Sequence, residues 1–346
     1  MTAILVIIGL SILIIGHEFG HFFAAKLSKM FVREFGIGFP PRLFKKKIGE
    51  TEYSINALPF GGFVQIAGEG DTPDNSEEKS NDVPKEKLFT SRPMYQKMLV
   101  IASGVIMNFI IGWILISIVL IVGITPMAVV GEVAKNSPAE IAGIKNDDIF
   151  SDFKNAEELK AFAKLHLGEK TTFNVIRGNE KIKVEIALPN EENKDGGILG
   201  VMLGQTGDIP AVPFYKAPYE GLKETATVTK ETFIGVIGFF KSIFAHATIP
   251  DGAVGPVGIF SIASQTSKAG FIYFVYLLAI ISVNLAIMNI LPFPALDGGR
   301  FLFLTIEAII RKPIPRKIEA IVNGAGLLFL LGLMIFLTIK DVGRLF

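Results

Sequence analysis

Two imidazoles and a carboxylate stand together in His17-Glu18-Phe19-Gly20-His21. On a helix, side chains four apart project from one face, one turn above each other. Both rings can then reach one divalent cation, normally zinc, while Glu18 stands close enough to take a proton from a water there. The chain holds four histidines in 346 residues, and two of them fall at this spacing. The surroundings narrow the meaning. Ile4 to Ala25 carries no other charge and is long enough to cross a bilayer. Ionisable groups at that depth are costly and are usually kept for function. A pair of hydrogen-bonded core histidines is the competing reading, and it leaves Glu18 without a task.

Two histidines need at least one further ligand, and the chain has no cysteine. That excludes disulfides, a thiol nucleophile and cysteine-ligated zinc, leaving His, Asp, Glu or Asn to complete a site. The candidate is Asp297, in the stretch Asn284 to Arg300 that also holds Asn289, Pro292, Pro294, Gly298 and Gly299. Two prolines and two glycines cannot continue a regular helix. Non-helical backbone at membrane depth survives only where protein or a wet cavity satisfies it. Asp297 is therefore expected on an unwound segment beside a polar pocket. A His–His–carboxylate set of His17, His21 and Asp297 holds zinc and leaves a fourth position for water. The plainer alternative is an aspartate capping the following helix.

The elements that must position these groups follow from composition. Half of the residues are hydrophobic and 29 phenylalanines stand against one tryptophan; the mean hydropathy is +0.48. This is the profile of an integral membrane protein carrying a soluble part. A net charge of +1 and the lack of a basic stripe with interleaved aromatics give no sign of a nucleic-acid partner. Four membrane spans are expected, over about 3–25, 98–124, 271–291 and 318–339. The first lacks a basic leader and a small-residue cleavage site, so it reads as a retained span. Lys26 to Lys97, including Lys45-Lys46-Lys47, is rich in cations, as is the short link bearing Arg300, Arg311, Lys312, Arg316 and Lys317. By the positive-inside rule both face the cytoplasm, which puts the termini and the segment 126–270 outside.

Glu52 to Ile66 alternates in short runs broken by Pro59 and Gly61-Gly62, the pattern of a β-hairpin that dips against the membrane. Tyr53 to Ile66, with Tyr53, Ser54, Ile55, Asn56, Ala57 and Leu58 as its first contacts, is a candidate exposed edge for an extended substrate, the plain alternative being a membrane-surface anchor. Gly68 to Lys87 is acidic and polar and reads as a flexible loop. In the second span Gly104 permits close helix approach and Asn108 must find a partner in the bundle, on the side of the site.

From Val129 to Leu203 the pattern becomes a small α/β domain. Val129–Val133 is strand-like, Ser137-Pro138-Ala139-Glu140 opens a capped helix, and Gly143 to Ile149 turns into another strand. Glu157–Leu167 is helical, with His166 on its solvated side, and Thr171–Arg177 with Lys181–Leu188 forms a hairpin across 178–179. Tyr215 to Ala247 reads as an amphipathic helix at the outer interface, with His246 interfacial, and Gly255-Pro256-Val257-Gly258-Ile259 as a rigid turn. The expected organisation is a membrane half at 1–125, an extracytoplasmic domain at 126–207, an interfacial helix and Gly-Pro turn at 208–270, and a second membrane half at 271–346.

The string Ser137-Pro138-Ala139-Glu140, Ala142-Gly143-Ile144 and Asp148-Ile149 resembles the PDZ fold of bacterial membrane and periplasmic proteases, whose members bind extended peptides and C-termini by strand addition. His17-Glu18-x-x-His21 with Asn289-x-x-Pro292-x-Pro294-x-Leu296-Asp297-Gly298-Gly299 resembles the signature pair of the site-2 protease family of intramembrane zinc proteases. Gly104-x-x-x-Asn108, the hairpin, the Gly255-Pro256 turn and a PDZ-like insertion are similar to its bacterial regulator of sigma-E protease branch. One departure is that well-known relatives carry two PDZ domains, while this chain has room for one. The resemblance implies an α-helical membrane protein of four spans with a membrane-associated hairpin and one inserted PDZ-like domain. It further implies one zinc ion, Glu18 as the base, and Asn289 and Asn284 as groups that bind the substrate backbone. Implied partners are the bilayer, peptide termini at the PDZ-like domain, and single-span proteins already shortened by another protease, such as anti-sigma factors or remnant signal peptides. Rival readings are a transporter, which should show internal repeats that this chain lacks, an inactive PDZ adaptor, which has no use for Glu18, and a non-haem iron site, which gives Glu18 no role.

Overall fold

The computed structural model describes residues 2–69, 83–124, 128–146, 148–177, 180–191, 197–205, 209–246, 250 and 253–345. Most of the acidic loop expected at 68–87, and the hairpin turn at 178–179, lie outside these residues, as does the side chain of His246. The chain divides into two compact units, one made of residues 1–116, 221–264 and 276–346, the other of 117–220 and 265–275.

The first unit is built on helices. α1 (Thr2–Leu27), α2 (Met94–Val122), α7 (Phe271–Ile290) and α9 (Arg316–Leu345) are each long and apolar enough to cross a membrane. α1, α2 and α7 are apolar on nearly every side, as helices surrounded by lipid and other helices must be. In α9 the exposed Ile321, Leu328, Ile335 and Ile339 make a face for lipid. α1 and α2 meet through glycines: a Cβ on Gly20 would lie 2.3 Å from the Ser103 carbonyl oxygen, so the small residue lets the backbones touch. α5 (Ala217–His246) is the expected amphipathic helix. Gly255 to Ile259 is not a free turn: Pro256 opens helix α6 (Pro256–Ala269), where its missing N–H costs nothing. The Asp341 carboxylate of α9, buried at 4% exposure, accepts the Gly258 N–H at 2.8 Å and caps that helix. The link before the last span holds a helix, α8 (Asp297–Ile310).

Between α1 and α2 lie β1 (Val32–Ile48) and β2 (Thr51–Ile66), antiparallel and each bent into two limbs. Residues 32–37 pair with 62–66 on one side and 34–37 with 52–55 on the other, while 42–48 pairs with 51–56. The order across the sheet is therefore 42–48, 51–56, 34–37, 62–66. Its interior is polar: Glu34, only 7% exposed, accepts from Arg42 at 2.8 Å and from the Ser54 hydroxyl at 2.6 Å. The sheet lies along α1, where Ser11 donates to the Pro59 carbonyl and the Phe35 ring packs edge-on to Phe19 and tilted against Phe22. Below, Ala24, Ala25, Met30, Val32, Ile66 and Leu304 join α1, the sheet and α8 in one core.

The second unit contains the α/β fold. β3 (Ala128–Val133), β4 (Ile149–Phe150), β5 (Lys170–Arg177), β6 (Glu180–Ala187) and β7 (Val201–Gln205) form an antiparallel sheet in the order β6-β5-β4-β3-β7. α3 (Pro138–Ile141) starts at Ser137, whose hydroxyl accepts the Glu140 N–H, and α4 (Ala156–Leu165) is capped by Asn155. Phe150, Phe173, Leu159 and Ile186 fill the core. β7 has no strong alternation and was not expected from the sequence. His166 is half-buried rather than solvated, because its ring packs 4.3 Å from Phe162 and its Nδ1–H donates to the Phe162 carbonyl.

Candidate active site

α1 carries His17 and His21 on one face, and the first turn of α8 brings Asp297 to them. His17 Nε2 lies 3.0 Å from Asp297 Oδ2, His21 Nε2 lies 3.2 Å from the same oxygen, and the two Nε2 atoms are 3.1 Å apart. The far nitrogens explain what these atoms are. His21 Nδ1 lies 2.8 Å from the Val100 carbonyl, an acceptor only, so that nitrogen carries a proton and, in the neutral ring, Nε2 keeps a lone pair. His17 Nδ1 lies 3.2 Å from the Asn108 side-chain amide. Asn108 is wholly buried, and its Oδ1 has no partner as placed. Turning the amide over lets Oδ1 accept from His17 Nδ1–H, which satisfies the oxygen and frees His17 Nε2.

Three lone-pair atoms then converge, and Asp297 Oδ2 is buried with no other partner. With no proton among them they would repel; a cation removes the conflict. Tetrahedral zinc at about 2.0–2.1 Å from each ligand separates ligand atoms by about 3.3 Å. The observed 3.0–3.2 Å fits that cradle. No other cluster of three such groups occurs among the described residues. Glu18 is half-buried in the same place, with His21, His17, Asp297 and Glu69 as its electrostatic neighbours.

The backbone around Asp297 is held unwound. α7 ends at Ile290, and Ala295 adopts φ 72°, a conformation costly for a side chain with a Cβ. The Ala295 N–H donates to Asn323 Oδ1 of α9 at 3.2 Å, and Pro294 rests on Gly326. Gly298 and Gly299 are required by crowding: a Cβ would fall 2.0 Å from the Leu291 oxygen and 2.3 Å from the Phe293 oxygen. Asp297 opens α8 but does not cap it with its side chain; Leu296 is the N-cap and the carboxylate turns to the histidines. Gly104 has an equally specific reason. A Cβ there would stand 2.4 Å from His21 Nε2 and 2.7 Å from His17 Cε1.

The other expected positions divide. Asn289 is half-buried and makes no side-chain hydrogen bond among the described residues. Asn284 is already engaged, accepting the Thr232 hydroxyl of α5 at 2.8 Å. Tyr53, Ser54 and Ile55 pair on both sides and form no free edge, and Asn56 pairs with Arg42. Ser54 and Asn56 also point inward, Asn56 donating to the Gly38 carbonyl at 3.2 Å, while Leu58 pairs with Phe39 and Ala57 lies half-buried between these pairs. The part of the expected edge that stays open beside α1 is 62–66, which among the described residues pairs with 32–37 alone. Gly62 there lies against Ile15, next to the His17 motif. The sequence signal for this was Gly61-Gly62, which lets the limb lie close to a helix. Asn323 and Ser282, whose hydroxyl donates to the Asn108 carbonyl at 2.7 Å, carried no signal at all.

Helices long and apolar enough to cross a membrane, a His–His–carboxylate cradle and a neighbouring glutamate are the features of a membrane protein with a metal centre of hydrolytic type. The model of peptidase family M50 matches residues 5–333, and the chain belongs to that family, the site-2 proteases. Among similar proteins, one from Clostridium perfringens with the provisional name zinc metalloprotease is 34% identical over 99% of this chain and 98% of its own. The regulator of sigma-W protease RasP of Bacillus subtilis is 31% identical over 100% of this chain and 99% of its own. A Nostoc protein, also provisionally named a zinc metalloprotease, is 33% identical over 100% and 97%.

Proposed function

We propose that this zinc-dependent protease hydrolyses peptide bonds within or beside the spans of single-span membrane proteins. The observation that carries the reading is the convergence of His17 Nε2, His21 Nε2 and Asp297 Oδ2 beside Glu18, on helices long and apolar enough to cross a membrane. Held by these three residues, zinc supplies a Lewis acid that makes a water more acidic and polarises a carbonyl. Glu18 would take a proton from the attacking water and return it to the leaving amine. Asn108 and the Val100 carbonyl hold the two rings in the required tautomer.

A helical substrate must unwind before its peptide bond is reachable, and its freed backbone groups then need partners. The limb 62–66 supplies them by strand addition and Asn289 adds a side-chain amide. Asn284 contributes once its bond to Thr232 is exchanged. Cation-rich loops support a topology with the β1–β2 sheet and the site toward the cytoplasmic face of a bacterial inner membrane, and the α/β domain, PDZ-like in its capped α3 and hairpin, outside. That domain receives peptide termini. The name of the Bacillus subtilis relative supports regulators of sigma factors, shortened beforehand, as substrates.

The test is Glu18→Gln on a shortened single-span substrate in vesicles. Zinc content stays at one per chain while cleavage falls by about 10²–10⁴-fold; Asp297→Ala loses the zinc itself. Cleavage by Glu18→Gln at the unsubstituted rate would remove Glu18 from the chemistry.

A further inference from the structure

The far edge of the β1–β2 sheet has no part in the chemistry above. It is the limb 42–48, which pairs with 51–56 on one side and with no strand on the other among the described residues. Leu43, Phe44 and Ile48 are 70%, 59% and 58% exposed, and Lys45, Lys46 and Lys47 stand exposed between them. The neighbouring charges are unevenly shared. Arg42 is held by Glu34 and Glu52, Lys45 reaches Glu52 at 3.4 Å, and Glu50 is held by Lys87. Lys46 and Lys47 have no ion pair among the described residues.

The register gives the depth of these cations. Lys46 pairs with Tyr53, Tyr53 with Phe35, and the Phe35 ring packs on Phe19 and Phe22 of α1. Phe22 is five residues from the end of α1 at Leu27, about 8 Å along the helix axis. In a helix that crosses the bilayer this is where hydrocarbon gives way to headgroups. A lysine there keeps its stem against acyl chains and sends its ammonium to the phosphates, and Leu43, Phe44 and Ile48 add apolar contact. We propose that the 42–48 edge docks on anionic phospholipid headgroups and so fixes the depth of the sheet. The limb 62–66, in the same hydrogen-bonded sheet, is then held level with the His17 motif; this consequence rests on the reading of that limb as the substrate edge.

The absence of cysteine allows a single fluorophore at Ile48→Cys in the full chain. The protein is placed in phosphatidylcholine vesicles containing an equal mole fraction of either brominated phosphatidylglycerol or brominated phosphatidylcholine as quencher. Quenching by phosphatidylglycerol is expected to exceed quenching by phosphatidylcholine, to weaken with added salt, and to lose its preference in Lys46→Gln/Lys47→Gln. The lost preference is about fivefold in apparent association per lysine. Equal quenching by both lipids, or an unchanged preference in the double variant, overturns the proposal. In a second arm, KM for a single-span substrate falls as phosphatidylglycerol is added to the unsubstituted protein. It stays flat for the double variant, whose kcat in neutral detergent is unchanged. If the difference between the two proteins disappears on neutralising acidic residues beside the substrate's span, the edge serves the substrate and the proposal fails. Failure of the unsubstituted protein to cleave in any vesicle would sink the protease reading, while the quenching arm still decides the lipid surface.

Discussion

Gly104→Ala is the substitution for which the structure makes the sharpest demand. The added Cβ would sit 2.4 Å from His21 Nε2, against 3.4 Å for ordinary contact, so the ring must retreat by about 1 Å. The crowded atoms are the ends of rotatable side chains, which keeps the fold intact. The same atoms are two of the three in the cradle, where useful ligand distances vary by only about ±0.2 Å. Overpacking of this kind costs about 1–3 kcal/mol, or roughly 5- to 150-fold in zinc dissociation constant if it falls on the ligands. Meanwhile alanine is favoured over glycine within a helix by about 1 kcal/mol, so α2 itself is not weakened. The expected result is a metal-free protein that melts no earlier than the unsubstituted one, with zinc affinity reduced in chelator competition and cleavage reduced in step. Unchanged zinc affinity and an unchanged cleavage rate would refute the argument that Gly104 exists to admit the imidazoles. Earlier melting of the metal-free protein would refute the argument that the strain is confined to the site.

Asn108→Leu keeps the volume but removes the acceptor for His17 Nδ1–H, and zinc affinity should fall by about 10–100-fold in the same competition assay. Thr232→Val releases Asn284 from its hydrogen bond with α5; zinc binding should hold while KM for a single-span substrate changes, read from initial rates in vesicles. In the α/β domain Arg177 binds the wholly buried Asp148 through two nitrogens at 2.8 and 2.7 Å, and that carboxylate in turn holds the guanidinium pKa above its usual value. Arg177→Met takes the guanidinium from the carboxylate, which keeps the Lys145 N–H at 2.8 Å; because the arginine side chain is itself 35% exposed, the loss is about 1–3 kcal/mol. Hydrogen exchange of Phe150 and Val175 should accelerate by about 5- to 150-fold, with the β1–β2 sheet unaffected.

Local chemistry made much of this chain legible without coordinates. The spans follow from hydropathy, because a bilayer tolerates only runs of about 20 apolar residues. The His17–His21 face follows from helical pitch, and the break after Ile290 from prolines that cannot continue a helix. The capped start of α3 at Ser137 follows from a side-chain acceptor placed to meet a free N–H. Such features are fixed by a few neighbours in the chain, so spacing and residue type suffice.

Long-range register was decided only in three dimensions. Alternation marks a strand but does not say which partners lie on its two sides, so the expected edge Tyr53–Ile66 divides in three dimensions: 53–55 is interior and 62–66 is open. The same applies to α6, where Gly255-Pro256 reads as a turn until Asp341, far along the chain, supplies its cap. Asp297 could be nominated from its broken helix. That its carboxylate meets both imidazoles at 3.0 and 3.2 Å depends on Gly104, Gly298 and Gly299 admitting backbones and rings to the same small volume. A sequence names the ligands, but their convergence is a property of the packing between helices, because no local interaction spans the 276 residues from His21 to Asp297.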